Sequence, residues 1–177
     1  MRQIAREQQL PWLLGFLGAS YGAAVLGSLF TFRALNSWYR RLRKPRWTPP
    51  DQIFGPVWTM LYTQMAVAAW LVRRGIAKPS GAKREVGRSA LLAWSIQLLL
   101  NVGWSAVFFG RRSPGAALWV IVLLWGAIAT TAVLAARVRR LAGVLLLPYL
   151  AWTSFAAALN VQVWRLNRRG PTHALRQ

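Results

Sequence analysis

The residues best equipped to recognise a ligand stand in one short stretch, Trp38-Tyr39-Arg40-Arg41-Leu42-Arg43-Lys44-Pro45-Arg46-Trp47-Thr48-Pro49-Pro50. Phe54-Gly55-Pro56-Val57-Trp58-Thr59-Met60-Leu61-Tyr62 follows at once. Proline fixes φ and gives up the amide donor, so this stretch is expected to be stiff and extended rather than helical. Flat aromatic faces beside cations suit a planar, apolar, anionic ligand. Trp58 and Tyr62 are four residues apart and Met65 follows, a spacing that puts them on one helical stripe. Gln97, Asn101, Trp104 and Phe108 fall at i, i+4, i+7 and i+11, and Tyr149, Trp152, Ala156 and Asn160 at i, i+3, i+7 and i+11. Each set makes one face, and all three are expected to aim aromatic and amide groups at a single cavity below the proline-rich connector.

Other side chains of the same types have blander explanations. Trp12, Trp70, Trp94 and Trp164 lie near the ends of apolar runs, where tryptophan ordinarily forms an interfacial belt. Trp119 and Trp125 read as packing or lipid-facing residues. Amides inside a membrane often join helix to helix, so Gln97 and Asn101 serve either that purpose or a ligand.

The missing groups restrict the chemistry. The acidic residues are Glu7, Asp51 and Glu85, the one histidine is His173, and there is no cysteine. None of these lies within an apolar run, so an intramembrane proton relay, a histidine-ligated haem and a His/Cys/carboxylate metal site have no residues to build them. No nucleophile has a base beside it. Binding without ligation remains: stacking on Trp and Tyr, amide hydrogen bonds, and pairing of ligand carboxylates with Arg43, Lys44 or Arg46.

The elements that must position these groups are apolar runs. The chain of 177 residues is 55% hydrophobic and carries eleven tryptophans. Five runs, at about 10–32, 53–72, 89–109, 114–136 and 142–164, contain no lysine and no acidic residue. Each is near the roughly 20 residues that cross a hydrocarbon core of about 30 Å. Helices of a water-soluble protein would show a polar stripe, which these runs lack. The reading is therefore an all-α integral membrane protein, a single five-transmembrane-helix bundle with a lid connector over 33–52. The first run is too long for a signal peptide and is read as a retained helix.

Pro11 suits a first helical turn, Pro114 opens the fourth helix, and Pro148 is expected to kink the fifth from within. The second connector, 73–88, reads as a polar link, and the tail from Arg165 as frayed. The net charge of +20 arises almost wholly in connectors and tails, which fits anchoring to anionic head groups and not nucleic-acid binding. Cations divide almost evenly between the two ends of the bundle, 11 against 12, so orientation does not follow from them.

Four blocks together resemble the TspO/MBR family, the tryptophan-rich sensory proteins related to the mitochondrial translocator protein. They are Trp38-Tyr39 with Leu42, Lys44, Pro45, Trp47, Pro49 and Pro50; Phe54, Trp58, Leu61 and Tyr62; Gln97, Asn101, Trp104, Phe108 and Phe109; and Pro148-Tyr149, Trp152, Phe155-Ala156 and Leu159-Asn160. The resemblance spans roughly residues 38–164, and the blocks occur in the family's order. It implies a five-helix bundle, usually a homodimer, that binds porphyrins and other tetrapyrroles under the first connector. The matching pocket positions are Trp38, Trp47, Trp58, Tyr62, Gln97, Asn101, Trp104, Phe108, Trp152 and Ala156.

The expected function is that of a membrane-embedded tetrapyrrole-binding sensor, scavenger or carrier in stress-linked tetrapyrrole regulation, with no obligatory cofactor. Some family members are reported to promote light-dependent porphyrin breakdown, for which Trp38 and Trp152 are the matching positions. Facilitated passage of small apolar ligands is the remaining alternative. The resemblance also suggests a bacterial cell-envelope membrane, lipids as neighbours and a homodimer. The sterol motif of animal members needs a tyrosine where this chain has Val161, which argues against cholesterol recognition by that motif.

Overall fold

The computed structural model describes residues 9–35, 37–77 and 81–168. The described residues are almost entirely helical, and no strand occurs among them. Helix α1 spans Leu10–Leu35, α2 is a single turn at Trp38–Arg41, and α3 spans Phe54–Gly75. Helix α4 spans Gly81–Ser105 and runs on through a π-helical turn, Ala106–Gly110. Helix α5 spans Pro114–Val138, α6 is the short Arg140–Val144, and α7 spans Leu147–Asn167.

Four segments are long and apolar enough to cross a membrane: Leu10–Leu35, Gly81–Gly110, Pro114–Val138 and Arg140–Asn167. The five-span count is not reproduced on that criterion. At 22 residues α3 has the length, but Gly55, Pro56, Thr59, Thr63, Gln64, Arg73 and Arg74 dilute its apolar character. Side chains such as Leu99 and Trp119, 74% and 77% exposed, point away from the bundle, as they do when lipid and not water surrounds it.

Helix α1 packs against α3 and α4, α4 against α5, and α5 against α7. Among the described residues, α3 and α7 do not lie backbone against backbone, and aromatic side chains bridge the space between them. The core draws chiefly on α3 and α5, where Met65, Ala66, Ile128 and Ala135 are almost fully buried.

Local sequence explains where three elements depart from expectation. The connector Trp38–Pro50 is not extended throughout, because Trp38–Arg41 forms a helical turn before the first proline at Pro45. From Leu42, at ψ 139°, the chain is extended, and the Thr48 amide then closes a turn on the Pro45 carbonyl at 3.1 Å.

The second connector is much shorter than 73–88. Helix α4 starts at Gly81, because Ala82-Lys83-Arg84-Glu85 are good helix formers despite their polarity. Glu85 and Arg88 add an i, i+3 pair at 3.3 Å.

Pro148 does not kink a continuous helix. The run breaks at Leu145 and Leu146, and Pro148 sits in the first turn of α7, where an amide would have no intrahelical acceptor in any case. At Gly143 the backbone of α6 comes so close to α5 that a Cβ there would stand 2.7 Å from the Ala132 carbonyl oxygen. Helix α7 also outruns its expected end, reaching Asn167. Arg2, Arg6, Glu7 and His173 lie outside the described residues.

Candidate functional site

The three stripes turn inward. Tyr62, Met65, Gln97, Asn101, Phe108, Tyr149 and Asn160 are buried, and Trp58, Trp104, Trp152 and Ala156 are half-buried. Eight of the ten predicted site residues fall into two aromatic groups, and among the described residues Gln97 and Ala156 make no ring or side-chain hydrogen-bond contact with either.

The first group fills the space between α3, α4 and α7. The Tyr62 hydroxyl donates to Asn101 Oδ1 at 2.7 Å, and Asn101 Nδ2 donates to the Tyr149 hydroxyl at 2.8 Å. Asn101 therefore ties three helices through a chain of neutral hydrogen bonds, and Tyr149 is wholly buried. The Trp58 ring lies over Tyr62 at 5.5 Å and meets Tyr149 edge-on at 6.1 Å. Trp152 packs on Phe54 of α3 at 5.7 Å and on Phe155 at 5.4 Å. Trp47, the exposed tip of the connector, closes this wall against Phe155 at 5.6 Å.

The second group sits where the connector meets the π turn. Trp104 stacks on Phe108 at 5.1 Å, and Trp38 meets Phe108 edge-on at 5.9 Å. Trp104 Nε1 donates to Asn160 Oδ1 at 3.1 Å, and Asn160 Nδ2 donates to the Pro114 carbonyl at 2.8 Å. This bonding turns the Trp104 indole toward α5 and α7, which is why its ring leaves the first group although it shares a face of α4 with Asn101. Tyr39 packs on Phe109 at 5.6 Å, with the Lys44 ammonium 3.8 Å above the centre of its ring. Burial, reinforced by the nearby Asp51 carboxylate, raises the Tyr39 phenol above its ordinary pKa.

Gln97 is the exception to this satisfied network. Its side chain is 1% exposed, and neither its amide nitrogen nor its carbonyl oxygen has a partner among the described residues. An orphaned buried amide costs about 1–3 kcal/mol. It lies one helical turn from Asn101 on the same face.

Several contributors were not among the ten. Tyr149 was visible on its stripe, and Phe54 and Phe155 in the family blocks. Tyr21 of α1 was missed; its hydroxyl lies 2.8 Å from Thr63 Oγ1, and its ring is 6.5 Å from Tyr62. Asn167 was missed because it falls in the polar tail. Its side chain clamps the connector, with Oδ1 accepting from the Arg43 amide at 3.0 Å and Nδ2 donating to the Arg43 carbonyl at 2.9 Å. Its spacing of seven from Asn160 put both on one face, and that signal was available.

One tryptophan read as a belt residue behaves otherwise, while Trp70 stays near a helix end. Trp94 is buried and donates to the Met65 carbonyl at 3.0 Å, so it is a core residue joining α3 to α4. The Trp70 indole is half-buried and donates to the Gln9 carbonyl at 3.2 Å. Trp119 is exposed, as expected, and Trp125 is exposed while donating to Ser154 Oγ at 2.9 Å. Among the described residues no three His, Cys, Asp or Glu side chains gather where they could hold a metal ion.

The comparisons agree with this architecture. The profile of the TspO/MBR family matches residues 16–165. The tryptophan-rich protein TspO of Chlorobaculum tepidum is 44% identical over 91% of this chain and 99% of its own length. The translocator protein of Homo sapiens is 40% identical over 89% of this chain and 92% of its own. The tryptophan-rich sensory protein of Cereibacter sphaeroides is 36% identical over 89% of this chain and 92% of its own. These likenesses and the apolar helices make this an integral membrane protein of sensor or transport type, and the chain belongs to the TspO/MBR family.

Proposed function

We propose that this protein binds a porphyrin-type tetrapyrrole, as sensor, scavenger or carrier, in the aromatic space between α3, α4 and α7 beneath the connector. In this reading α3 also spans the membrane, completing a five-helix bundle. The single observation that carries the proposal is Gln97: a buried amide without a partner among the described residues, one helical turn from Asn101, which bonds Tyr62 of the aromatic wall. A buried polar group without a partner calls for one, and in this reading the polar edge of the ligand supplies it.

A tetrapyrrole fits that donor set. Its macrocycle offers faces for Trp58, Tyr62 and Trp152, its polar edge offers hydrogen bonds to Gln97, and its carboxylates find Arg43, Lys44 and Arg46 on the connector. The chain contributes stacking, hydrogen bonding and exclusion of water to the bound pigment.

Porphyrin titration tests this by quenching of tryptophan fluorescence. Trp58→Ala and Trp152→Ala are each expected to weaken affinity by roughly tenfold, the effect of about 1.4 kcal/mol of lost stacking. Unchanged affinity in both variants would remove the site.

A further inference from the structure

Away from the aromatic groups, a cavity of about 420 Å³ opens between the end of α1 and the π turn of α4. Its walls carry Arg33, Arg111 and Arg112, with Phe30, Phe109 and Gly110 between them. Among the described residues none of the three arginines pairs with a carboxylate, the sole ion pair there being Glu85 with Arg88. Three guanidinium groups around one hollow repel one another unless an anion joins them.

The backbone supports the same reading. The π turn closes with the Arg111 amide on the Ala106 carbonyl at 2.8 Å and the Ser113 amide on the Val107 carbonyl at 3.2 Å. That closure puts Arg112 at φ 53°, the left-handed region where glycine is the unstrained choice. An arginine held there has its guanidinium at the rim of the cavity despite the backbone cost, and such strain gathers where a ligand is held. π turns within helices are themselves common at functional sites.

The position selects the ligand. The cavity lies at the ends of two apolar segments, where a bilayer crossed by them would set its head groups. Directly below it on α1, Leu26, Leu29 and Phe30 are exposed, an apolar track for a hydrocarbon chain. We infer that this cavity binds the phosphate of an anionic phospholipid, with Arg33, Arg111 and Arg112 on its oxygens and an acyl chain along α1. The inference stands apart from whatever occupies the space under the connector.

Native mass spectrometry of the protein released from mixed phosphatidylglycerol and phosphatidylcholine nanodiscs tests it. Wild type is expected to retain phosphatidylglycerol in preference to phosphatidylcholine. Retention should fall about tenfold in the Arg33→Gln, Arg111→Gln, Arg112→Gln triple variant, as guanidinium–phosphate bonds are lost. Arg112→Gly keeps the turn without the guanidinium, so it should fold at least as stably and still retain less phosphatidylglycerol. The Arg73→Gln, Arg84→Gln, Arg88→Gln variant, a basic cluster at the opposite end of the bundle, should leave retention unchanged.

Equal retention by wild type and the triple variant would overturn the site. So would an equal loss in the opposite-end variant, which would mean a general basic surface. Displacement of phosphatidylglycerol by inorganic phosphate at comparable concentration would make free phosphate the ligand. If the same spectra showed the triple variant shifting from dimer to monomer with lipid counts unchanged, the cavity would belong to an interface between copies and the lipid assignment would fall.

Discussion

Gln97 and Asn101 stand one turn apart on α4 and have the same chemistry, yet opposite circumstances. Asn101 spends its amide on two tyrosines, at 2.7 and 2.8 Å, while both amide atoms of Gln97 are unserved. Their substitutions should therefore separate stability from binding. Asn101→Ala is expected to cost about 1–2 kcal/mol, since two interhelical hydrogen bonds in a membrane are worth roughly 0.6 kcal/mol each and a small cavity adds to that. Gln97→Met keeps the volume and removes the orphaned groups, so it should leave stability unchanged or raise it by up to about 1 kcal/mol. The same variant should weaken porphyrin binding by roughly tenfold. Reversible unfolding in mixed micelles reads the first quantity and fluorescence titration the second. A Gln97→Met protein that binds normally would reduce Gln97 to an unexplained packing residue.

The connector is held at two points. At one, the Asn167 side chain of α7 accepts from the Arg43 amide and donates to the Arg43 carbonyl. Asn167→Ala should free the Arg43 backbone, and hydrogen exchange of the amides at 42–44 should quicken by roughly five- to thirtyfold, the effect of about 1–2 kcal/mol. Exchange within α5 should not change, and an equal increase there would mean general loosening.

The second point is Tyr39, buried against Phe108 and Phe109 under the Lys44 ammonium. Its phenol ionises above the ordinary tyrosine value of about 10 when folded, because burial, and then Asp51, disfavours the phenolate. Below that value both folded and unfolded chains keep the proton, and the group makes no pH dependence. As pH rises past about 10 the unfolded chain loses its proton first, so stability falls with rising pH from there to the folded pKa. Thermal unfolding of wild type and Tyr39→Phe between about pH 8 and 11 should show a decline in wild type that the variant lacks in part. Identical profiles would mean that Tyr39 is not buried in the folded connector.

At the scale of the molecule, the bundle is closed on one side by side chains and not by backbone packing. Helices α3 and α7 meet through Phe54 and Trp152 at 5.7 Å and through Trp58 and Tyr149 at 6.1 Å. Rings in contact at these distances leave no slot for a macrocycle, so its entry must part them. Spin labels at Met60→Cys on α3 and Ala158→Cys on α7, both on exposed positions, should move apart by several ångströms when porphyrin binds. Labels on α4 and α5, which pack closely along their length, should hold their distance. A fixed α3–α7 distance with porphyrin bound would place the pigment outside the bundle.

Much of this was determined by composition and spacing alone. Apolar runs without acid or lysine can only be buried in lipid or in one another, so the all-helical membrane class follows before any contact is known. The i, i+4, i+7 spacings likewise oblige Gln97, Asn101, Trp104 and Phe108 to share one face of α4, whatever lies opposite. Spacing along one helix carries no information about partners on another. Only the tertiary structure decided that the Trp104 indole bonds Asn160 and leaves the first aromatic group, that Trp94 belongs to the core, and that Asn167 reaches back to Arg43. The break at Leu145–Leu146 was also beyond the sequence pattern, because proline is compatible with a kink inside a helix or with the first turn of a new one. The close approach of Gly143 to α5 accompanies the second. Amide satisfaction is the clearest case: Gln97 and Asn101 are equivalent in the sequence, and only the placement of Tyr62 and Tyr149 leaves one bonded and the other waiting.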